Sequence, residues 1–181
     1  AFIEEKYVSN KENYIAKLIF EKNYFNPYGT FGKNYGWKLL DENFKKLYET
    51  RLKKTGFFKR RIPDSIKTEL DTLTKVKKTY QFIRDHYTLD NSYNKSLPRS
   101  FKEQRADYIN INLSLYYALK ALKLNPKIGL LSTRENGIAT KIFPSLESLN
   151  YSLTYIKING KDYFLDATNK KNIFGLVPFK C

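Results

Sequence analysis

A single long apolar segment, residues 105–124 (RADYININLSLYYALKALKL), constrains this chain more than any other stretch. Apolar side chains recur in it at helical spacing, and neither glycine nor proline interrupts it. Asn125-Pro126 follows, and a proline disfavours the helical conformation of the residue before it. The segment therefore predicts a central helix that is apolar on most of its circumference. Its apolar positions are Ile109, Leu113, Leu115, Tyr116, Tyr117, Leu119, Ala121 and Leu122.

The start of this helix is where reactive chemistry would be expected. Asp107 can cap the first turn, and the free N–H groups there stabilise negative charge. A cysteine just inside such a terminus would be a thiolate nucleophile, because the helix end favours the ionised sulfur. The residue in that place is Tyr108, whose phenol has an ordinary pKa of about 10 and cannot act in this way.

The net charge of +15 bears on the partners that the chain could bind. A charge of this size is typical of proteins that bind nucleic acid or anionic membranes. The basic residues are scattered, however, with clusters within residues 53–61 and 75–78, and no zinc-finger, basic-zipper or aromatic RNA-binding motif accompanies them. A solvated basic surface is therefore the favoured interpretation, and a basic nucleic-acid-binding domain stays open as an alternative function.

Length and composition exclude several other classes of protein. A chain of 181 residues that is 41% hydrophobic and 16% aromatic predicts one folded domain with a substantial core. No run of about 18 apolar residues is present, so no membrane span is expected. The single cysteine, Cys181, excludes an internal disulfide, and the single histidine, His86, lacks a second metal ligand near it. We therefore expect neither a metal nor a cofactor.

The chain before the central segment is predicted to be mostly helical. Asp64 or Ser65 follows Pro63 and can begin a long helix that runs to about Tyr87, with Leu70 on its apolar side. The other predicted elements are an extended arm at 1–12, a strand at 13–20, a loop at 23–36, a helix from 37 to about 54, and a polar loop at 88–104.

Beyond Pro126 the pattern changes to strands, at 127–133, 151–158 and 162–168. Asn159-Gly160 between the last two is a two-residue hairpin signal, so that Ile158 should pair with Lys161 and the ladder should continue at the same sum. Helices followed by an antiparallel meander predict an α+β fold, with the N-terminal helices and the central helix packed on the sheet.

The second half of the sequence contains three distinctive phrases, INLSLYYALKALKLNPKIGLLSTRENG at 111–137, FPSLESLNYSLTYIKINGKDYFLDAT at 143–168 and FGLVPFKC at 174–181. They resemble the transglutaminase-like core, a relative of the papain-type cysteine proteases. The resemblance is to the bacterial multidomain branch, in which that core sits between β-rich domains. The arm AFIEEKYVSNKENYIAKLIFE at 1–21 also resembles the segment that joins the preceding β-rich domain to the core. The late phrases are specific, whereas the helices at 37–87 match only in pattern.

Active members of that family use a Cys–His–Asp triad, in which a carboxylate orients an imidazole beside a thiolate. By this resemblance the Cys position falls on Tyr108, in ADYININ, and the His position falls on Tyr151, in LNYSL. The Asp position falls on Asp166, in LDAT, and is retained. Because two of the three members are replaced, the resemblance implies a site that is inactive in acyl transfer.

Two interpretations stay open for each of these residues. Asp166 is either a relic carboxylate in a cleft or a residue that hydrogen-bonds the turn after its strand, and the second is favoured because no imidazole needs orienting. Tyr108 and Tyr151 either line a surviving groove or plug the old site, with plugging favoured since aromatic residues most often pack. Arg134, in STRENG, either meets an anionic ligand or holds a loop carbonyl or carboxylate.

The resemblance leads to an expected function and location. We expect a catalytically inactive transglutaminase-like domain at 33–181 that acts as a binding or structural module, with 1–32 as a linker arm and strand from a preceding domain. A peptide, a glycan or neighbouring domains of the same chain would be its partners. Relatives are usually exported, so we expect a signal peptide upstream of Ala1 and a periplasmic, outer-membrane or surface location. A hydrolase or acyltransferase with a rearranged active site is the enzymatic alternative.

Overall fold

The computed structural model describes most of the chain from residue 55 onward, together with a few residues before it. The described residues fall into two compact units, each considered by itself. The larger unit holds the described residues of Leu52–Leu130 and Tyr151–Phe179. The arm, strand and loop predicted within 1–36, the proposed boundary between 32 and 33, and most of the helix predicted at 37–54 lie outside the described residues. The residues that the structure describes are 38, 41, 42, 55–93, 95–137, 149–178 and 181.

In the described part from residue 55 onward, three helices come first, a strand, a helix and a second strand lead to the central helix, and further strands follow it. None of the described helices is long and apolar enough to cross a membrane. The helices are α1 (Thr55–Lys59), α2 (Asp64–Lys67), α3 (Thr72–His86), α4 (Leu97–Glu103) and α5 (Tyr108–Ala121). The strands are β1 (Thr88–Leu89), β2 (Arg105–Ala106), β3 (Lys127–Leu131), β4 (Tyr151–Ile158) and β5 (Lys161–Leu165).

Helix α5 is the central helix that the sequence predicts. Asp107 caps it, since its carboxylate accepts a hydrogen bond from the backbone N–H of Asn110 at 2.6 Å. Every residue from 110 to 115 is buried, polar ones included, so the helix has neighbours around most of its circumference. Helices α1 and α3 and strand β4 all pack against it. The predicted central position of this helix is therefore confirmed.

The end of α5 lies earlier than the sequence predicts. The helix was expected to run to Leu124 and stop at Asn125-Pro126, but it ends at Ala121. Lys123 adopts a left-handed conformation with φ of 61°, and the N–H of Leu124 donates to the carbonyl of Leu119 at 3.2 Å. This is a Schellman-type end, which satisfies carbonyl groups that the helix leaves without partners. The local turn, not the proline, ends the helix.

The long helix predicted from Asp64 to Tyr87 is wrong in its continuity, because the chain forms two helices with a break between them. Thr68 closes α2, with its hydroxyl donating to the carbonyl of Asp64 at 2.9 Å. Asp71 then caps α3 by accepting from the N–H of Thr74 at 2.7 Å. A side chain that bonds its own backbone competes with helix continuation, and here it prevails. Leu70 lies in the break and is 95% exposed.

The polar loop predicted at 88–104 is also wrong, since this segment contains β1 and α4, and β2 follows it directly. Pro98 lies in the first turn of α4, where a proline costs no hydrogen bond and its backbone angle suits the helix. Strands β1 and β2 pair in parallel, with Thr88 opposite Arg105 and Leu89 opposite Ala106. The sequence signal for α4 is Ser96 followed by Pro98, a start signal inside a segment whose overall composition is polar.

The second sheet has the strand order β3–β4–β5. Strands β4 and β5 form the predicted antiparallel hairpin, in which Ile158 pairs with Lys161 and Thr154 pairs with Leu165. Asn159 and Gly160 both have positive φ, 49° and 80°, as a tight hairpin turn of this kind requires. The register prediction is confirmed, and helices combined with small parallel and antiparallel sheets confirm the α+β class.

The core of the larger unit lies where α5 meets α1, α3 and β4. Aromatic rings are prominent in it: Phe58 of α1 stacks on Tyr117 of α5, with ring centroids 6.4 Å apart. Burial of these apolar surfaces is the main source of stability. The largest fully buried side chains are those of Tyr80, Tyr117, Phe58, Ile62, Ile83, Ile111, Leu115, Leu119, Leu153, Leu165, Val76 and Thr79.

The break between α2 and α3 predicts a sharp contrast between two leucines. Leu119 is fully buried in α5, so Leu119→Ala should lower the free energy of unfolding by about 2–5 kcal/mol. Leu70→Ala should lower it by less than about 0.5 kcal/mol, because that side chain is already in solvent. Urea unfolding of both variants measures the difference. Similar losses would mean that Leu70 is buried in a continuous helix.

Candidate functional site

The start of α5 faces the open end of the β4–β5 hairpin, and the three triad positions meet there. The rings of Tyr108 and Tyr151 stack nearly parallel, with centroids 4.9 Å apart and an angle of 13° between the rings. The Tyr151 hydroxyl donates to the carboxylate of Asp166 at 2.9 Å. The structure thus brings the three residues together in the order that the resemblance implies.

The carboxylate of Asp166 is buried and is held entirely by neutral donors. Asp166 is 2% exposed. Its Oδ1 accepts from Asn112 Nδ2 and from the N–H of Thr168, both at 3.1 Å. Its Oδ2 accepts from the Tyr151 hydroxyl at 2.9 Å and from Asn172 Nδ2 at 3.0 Å. These donors satisfy both oxygens and so offset the cost of burying the polar group.

Asn112 is the site residue that the sequence analysis missed. Its Nδ2 donates to the carbonyl of Ser152 at 2.9 Å and to Asp166, while its Oδ1 accepts from the N–H of Ala167 at 3.0 Å. Its backbone carbonyl accepts from the Thr154 hydroxyl at 3.0 Å. The side chain therefore ties α5 to β4 and to the loop after β5. The signal in the sequence is an amide between Ile111 and Leu113 in an apolar helix, where a buried polar group needs partners.

Tyr80 of α3 holds the loop that follows β5. Its hydroxyl contacts two carbonyl oxygens, donating to Asp166 at 3.0 Å and lying 3.1 Å from Asn172. Burial raises the pKa of this phenol above its ordinary value, so it stays protonated and remains a donor. The Asn172 amide also donates to the Asp166 carbonyl, at 3.1 Å. The loop is thus anchored from the helix side as well as from the strand side.

The electrostatics of the corner do not favour nucleophilic chemistry. Burial, and next to it the negative charge of Asp107, raise the pKa of Tyr108 above its ordinary value. A phenol held protonated at neutral pH is neither a nucleophile nor a general base. No imidazole or thiol lies among the partners of Asp166 in the described part of the larger unit. The arrangement can hold a carboxylate but supplies no group for it to activate.

His86 has a packing role at the end of α3. Its Nε2 lies 2.8 Å from the Phe101 carbonyl oxygen, and its ring stacks on that of Phe101 with centroids 3.8 Å apart. No group of three His, Cys, Asp or Glu side chains suited to a metal ion occurs among the residues that the structure describes. The histidine belongs to an aromatic cluster and not to a catalytic pair.

The smaller unit holds two of the residues that the sequence singled out, Arg134 and Cys181. Arg134 lies in a turn in which the N–H of Gly137 donates to the Thr133 carbonyl at 3.2 Å. Asn150 secures this turn through two hydrogen bonds to Thr133, at 2.8 and 2.9 Å. The expected contribution of Arg134 to ligand binding stays a prediction.

Comparison with known proteins gives one informative likeness. No protein-family model matches the chain, and no curated protein matches it. Among solved structures, the chain is similar to a protein from Parabacteroides distasonis ATCC 8503 described as a "putative protease". The TM-score is 0.52 at 14% sequence identity, over 67% of this chain and 25% of that one. At this identity the likeness shows a shared fold, and this chain spans about a quarter of the neighbour's length.

The position of Asn112 beside Asp166 predicts a pH-dependent stability in one variant. Asn112→Asp would bring a second carboxylate about 3 Å from the first, so the pair should share a proton and one pKa should rise. A folded-state pKa above the unfolded value means that stability is gained as the pH falls. We expect a loss of about 3–5 kcal/mol at pH 8, recovered in large part by pH 5.

Asn112→Leu is the uncharged control. It removes both hydrogen bonds that the Asn112 amide donates, and also the one that its Oδ1 accepts from the N–H of Ala167. Its loss of stability should vary with pH between 5 and 8 much less than that of Asn112→Asp, because it places no second carboxylate beside Asp166. Urea unfolding at three pH values distinguishes the two variants. Parallel pH profiles would contradict the direct contact between residue 112 and Asp166.

Proposed function

We propose that this chain carries a catalytically inactive transglutaminase-like domain, which acts as a binding or structural module in a larger exported bacterial protein. The likeness to the Parabacteroides protein supports a protease-like α+β fold. The finer assignment to the transglutaminase-like branch rests on the sequence phrases that resemble it. The loss of catalysis rests on the chemistry of the corner formed by Tyr108, Tyr151 and Asp166.

The observation that carries the proposal is the hydrogen bond from the Tyr151 hydroxyl to Asp166. In an active triad the carboxylate orients an imidazole, which then takes a proton from the nucleophile. Here the same carboxylate accepts from a phenol, a group whose proton is retained at neutral pH. The carboxylate therefore keeps its place while its catalytic task is gone.

The stacked rings support the plugged interpretation of the site over the open one. Tyr151 is buried, and the Tyr108 ring covers it at a centroid distance of 4.9 Å. Offset or parallel stacking of this kind adds about 0.5–1.5 kcal/mol beyond burial, so the corner gains stability from the replaced residues. Two stacked phenol rings stabilise the corner by packing, but they lack the reactivity of a thiol and an imidazole.

A binding role is the function that best suits a domain with a retained fold and no catalytic group. Peptides, glycans and neighbouring domains of the same chain are the partners that the resemblance suggests, and export to the periplasm, outer membrane or cell surface belongs to the same proposal. A full-length reading frame with a signal peptide and flanking β-rich domains would support it. A frame that lacks both would contradict the exported multidomain context.

The purified protein should turn over no peptide-amide substrate, in either transamidation or hydrolysis. The reason is that no thiol, imidazole or other activated nucleophile adjoins Asp166 in the described residues. Amine incorporation and peptide cleavage assays measure both reactions. Turnover that disappears in Asp166→Asn, a variant of equal size and unequal charge, would overturn the inactive assignment.

The double variant Tyr108→Cys with Tyr151→His tests whether the three positions still form a triad geometry. The introduced thiol should have a pKa well below the ordinary value of about 8.5, because the helix start and a neighbouring imidazolium both favour thiolate. The rate of alkylation against pH measures that pKa.

Tyr108→Cys alone is the control, since it retains the helix start and lacks the imidazole. Its thiol pKa should lie between that of the double variant and the ordinary value. If the single and double variants have the same thiol pKa, residues 108 and 151 do not face each other as the family geometry requires.

A further inference from the structure

A pocket of about 310 Å³ lies on the larger unit, away from the tyrosine corner, and lysines dominate its lining. Four lysines border it, from four different parts of the chain: Lys59 in α1, Lys67 in α2, Lys75 in α3 and Lys123 just after α5. None of the acidic residues that the structure describes lines it. The apolar part of the lining includes Ile62 and Leu122. We call this site the lysine pocket.

Among the described residues, carboxylates neutralise only a small part of the positive charge in the lysine pocket. Lys67 pairs with Asp64 at 2.9 Å, in an exposed ion pair of small energetic value. No carboxylate of the described residues lies within ion-pair distance of Lys59, Lys75 or Lys123. Bringing several like charges to one concave site costs energy unless an anion binds there.

Lys123 occupies a backbone position at which glycine is the energetically favoured residue. It is the left-handed residue that ends α5, with φ of 61°, and residues with a β-carbon are disfavoured in that conformation. Lysine at such a position lowers the stability of the helix end. Its side chain borders the lysine pocket, where its positive charge can contact an anionic ligand.

Lys75 also contradicts the local preference of its helix. It lies in the first turn of α3, where the partial positive charge of the helix end disfavours a cation. Lys59 and Lys67 lie in the last turns of their helices, where a cation is favourable, so a structural role alone accounts for them. The same explanation fails for Lys75. Departures from local rules concentrate at functional sites.

We propose that the lysine pocket binds a small organic anion that carries two or more closely spaced phosphate groups. Ammonium groups from separate elements can contact separate phosphates, and lysine is a common phosphate ligand. The partly exposed apolar side chains of Ala121 and Leu122 would contact the organic part of the ligand. This function is independent of the inactive triad and requires no movement of the tyrosine corner.

The test uses tripolyphosphate as the probe and isothermal titration calorimetry at neutral pH and about 0.15 M salt. Lys75→Gln and Lys123→Gly should each raise the Kd for tripolyphosphate about tenfold, since each removes a charged contact. Lys170→Gln is the matched control: this lysine is exposed, lies outside the pocket and changes the net charge equally. It should change the Kd by less than about twofold.

Thermal unfolding separates ligand binding from a structural role of the lysines. Lys123→Gly should raise the melting temperature while it weakens binding, because glycine suits the left-handed position. A variant that is more stable and binds less tightly cannot be explained by damage to the fold.

Three results would overturn the proposal. The first is equal loss of affinity in Lys170→Gln, which would indicate diffuse attraction to a basic surface. The second is binding of inorganic phosphate as tightly as tripolyphosphate, or no binding of either. The third is tighter binding of a single-stranded oligonucleotide that all three variants weaken equally, which would favour a nucleic-acid surface instead.

Discussion

The hydrogen bond from Asn112 to Asp166 is the interaction on which the rest of the larger unit depends. A buried carboxylate is costly, and this one is stabilised by neutral amides, a phenol and a backbone N–H. Because Asn112 also bonds the Ser152 carbonyl and the Ala167 N–H, a single side chain sets how α5, β4 and the loop after β5 meet. Such fully satisfied polar networks specify one arrangement where apolar packing alone would permit several.

Elements with strong local signals could be predicted from the sequence, and those that depend on distant partners could not. The cap at Asp107 and the Asn159-Gly160 turn lie in short motifs, and both appear as expected. The break after α2 was missed because apolar periodicity continues through Leu70, while the cap at Asp71 competes with it. The role of Asn112 was missed because its partners are 40 or more residues away.

For the candidate site, the location could be predicted from the sequence, whereas the contacts between its residues could not. Its location followed from the resemblance, which assigned Tyr108, Tyr151 and Asp166 to three positions that do meet. Its chemistry follows from the contacts, in which Tyr108 and Tyr151 serve packing and hydrogen bonding. No sequence motif predicts the lysine pocket, because its four lysines are far apart in sequence and only the fold brings them together. Scattered charge in a sequence can therefore become concentrated charge on a surface.

The loop after β5 has a consequence for the dynamics of the molecule. Residues 166–172 form no regular strand or helix, and such segments usually exchange their amide hydrogens with solvent quickly. Here the N–H of Ala167 is bonded to the side chain of Asn112, and that of Thr168 to the side chain of Asp166. Opening the loop would break bonds of the same Asn112 side chain that also ties α5 to β4. The amides of Ala167 and Thr168 should therefore exchange on the timescale of the core, although they lie in an irregular segment.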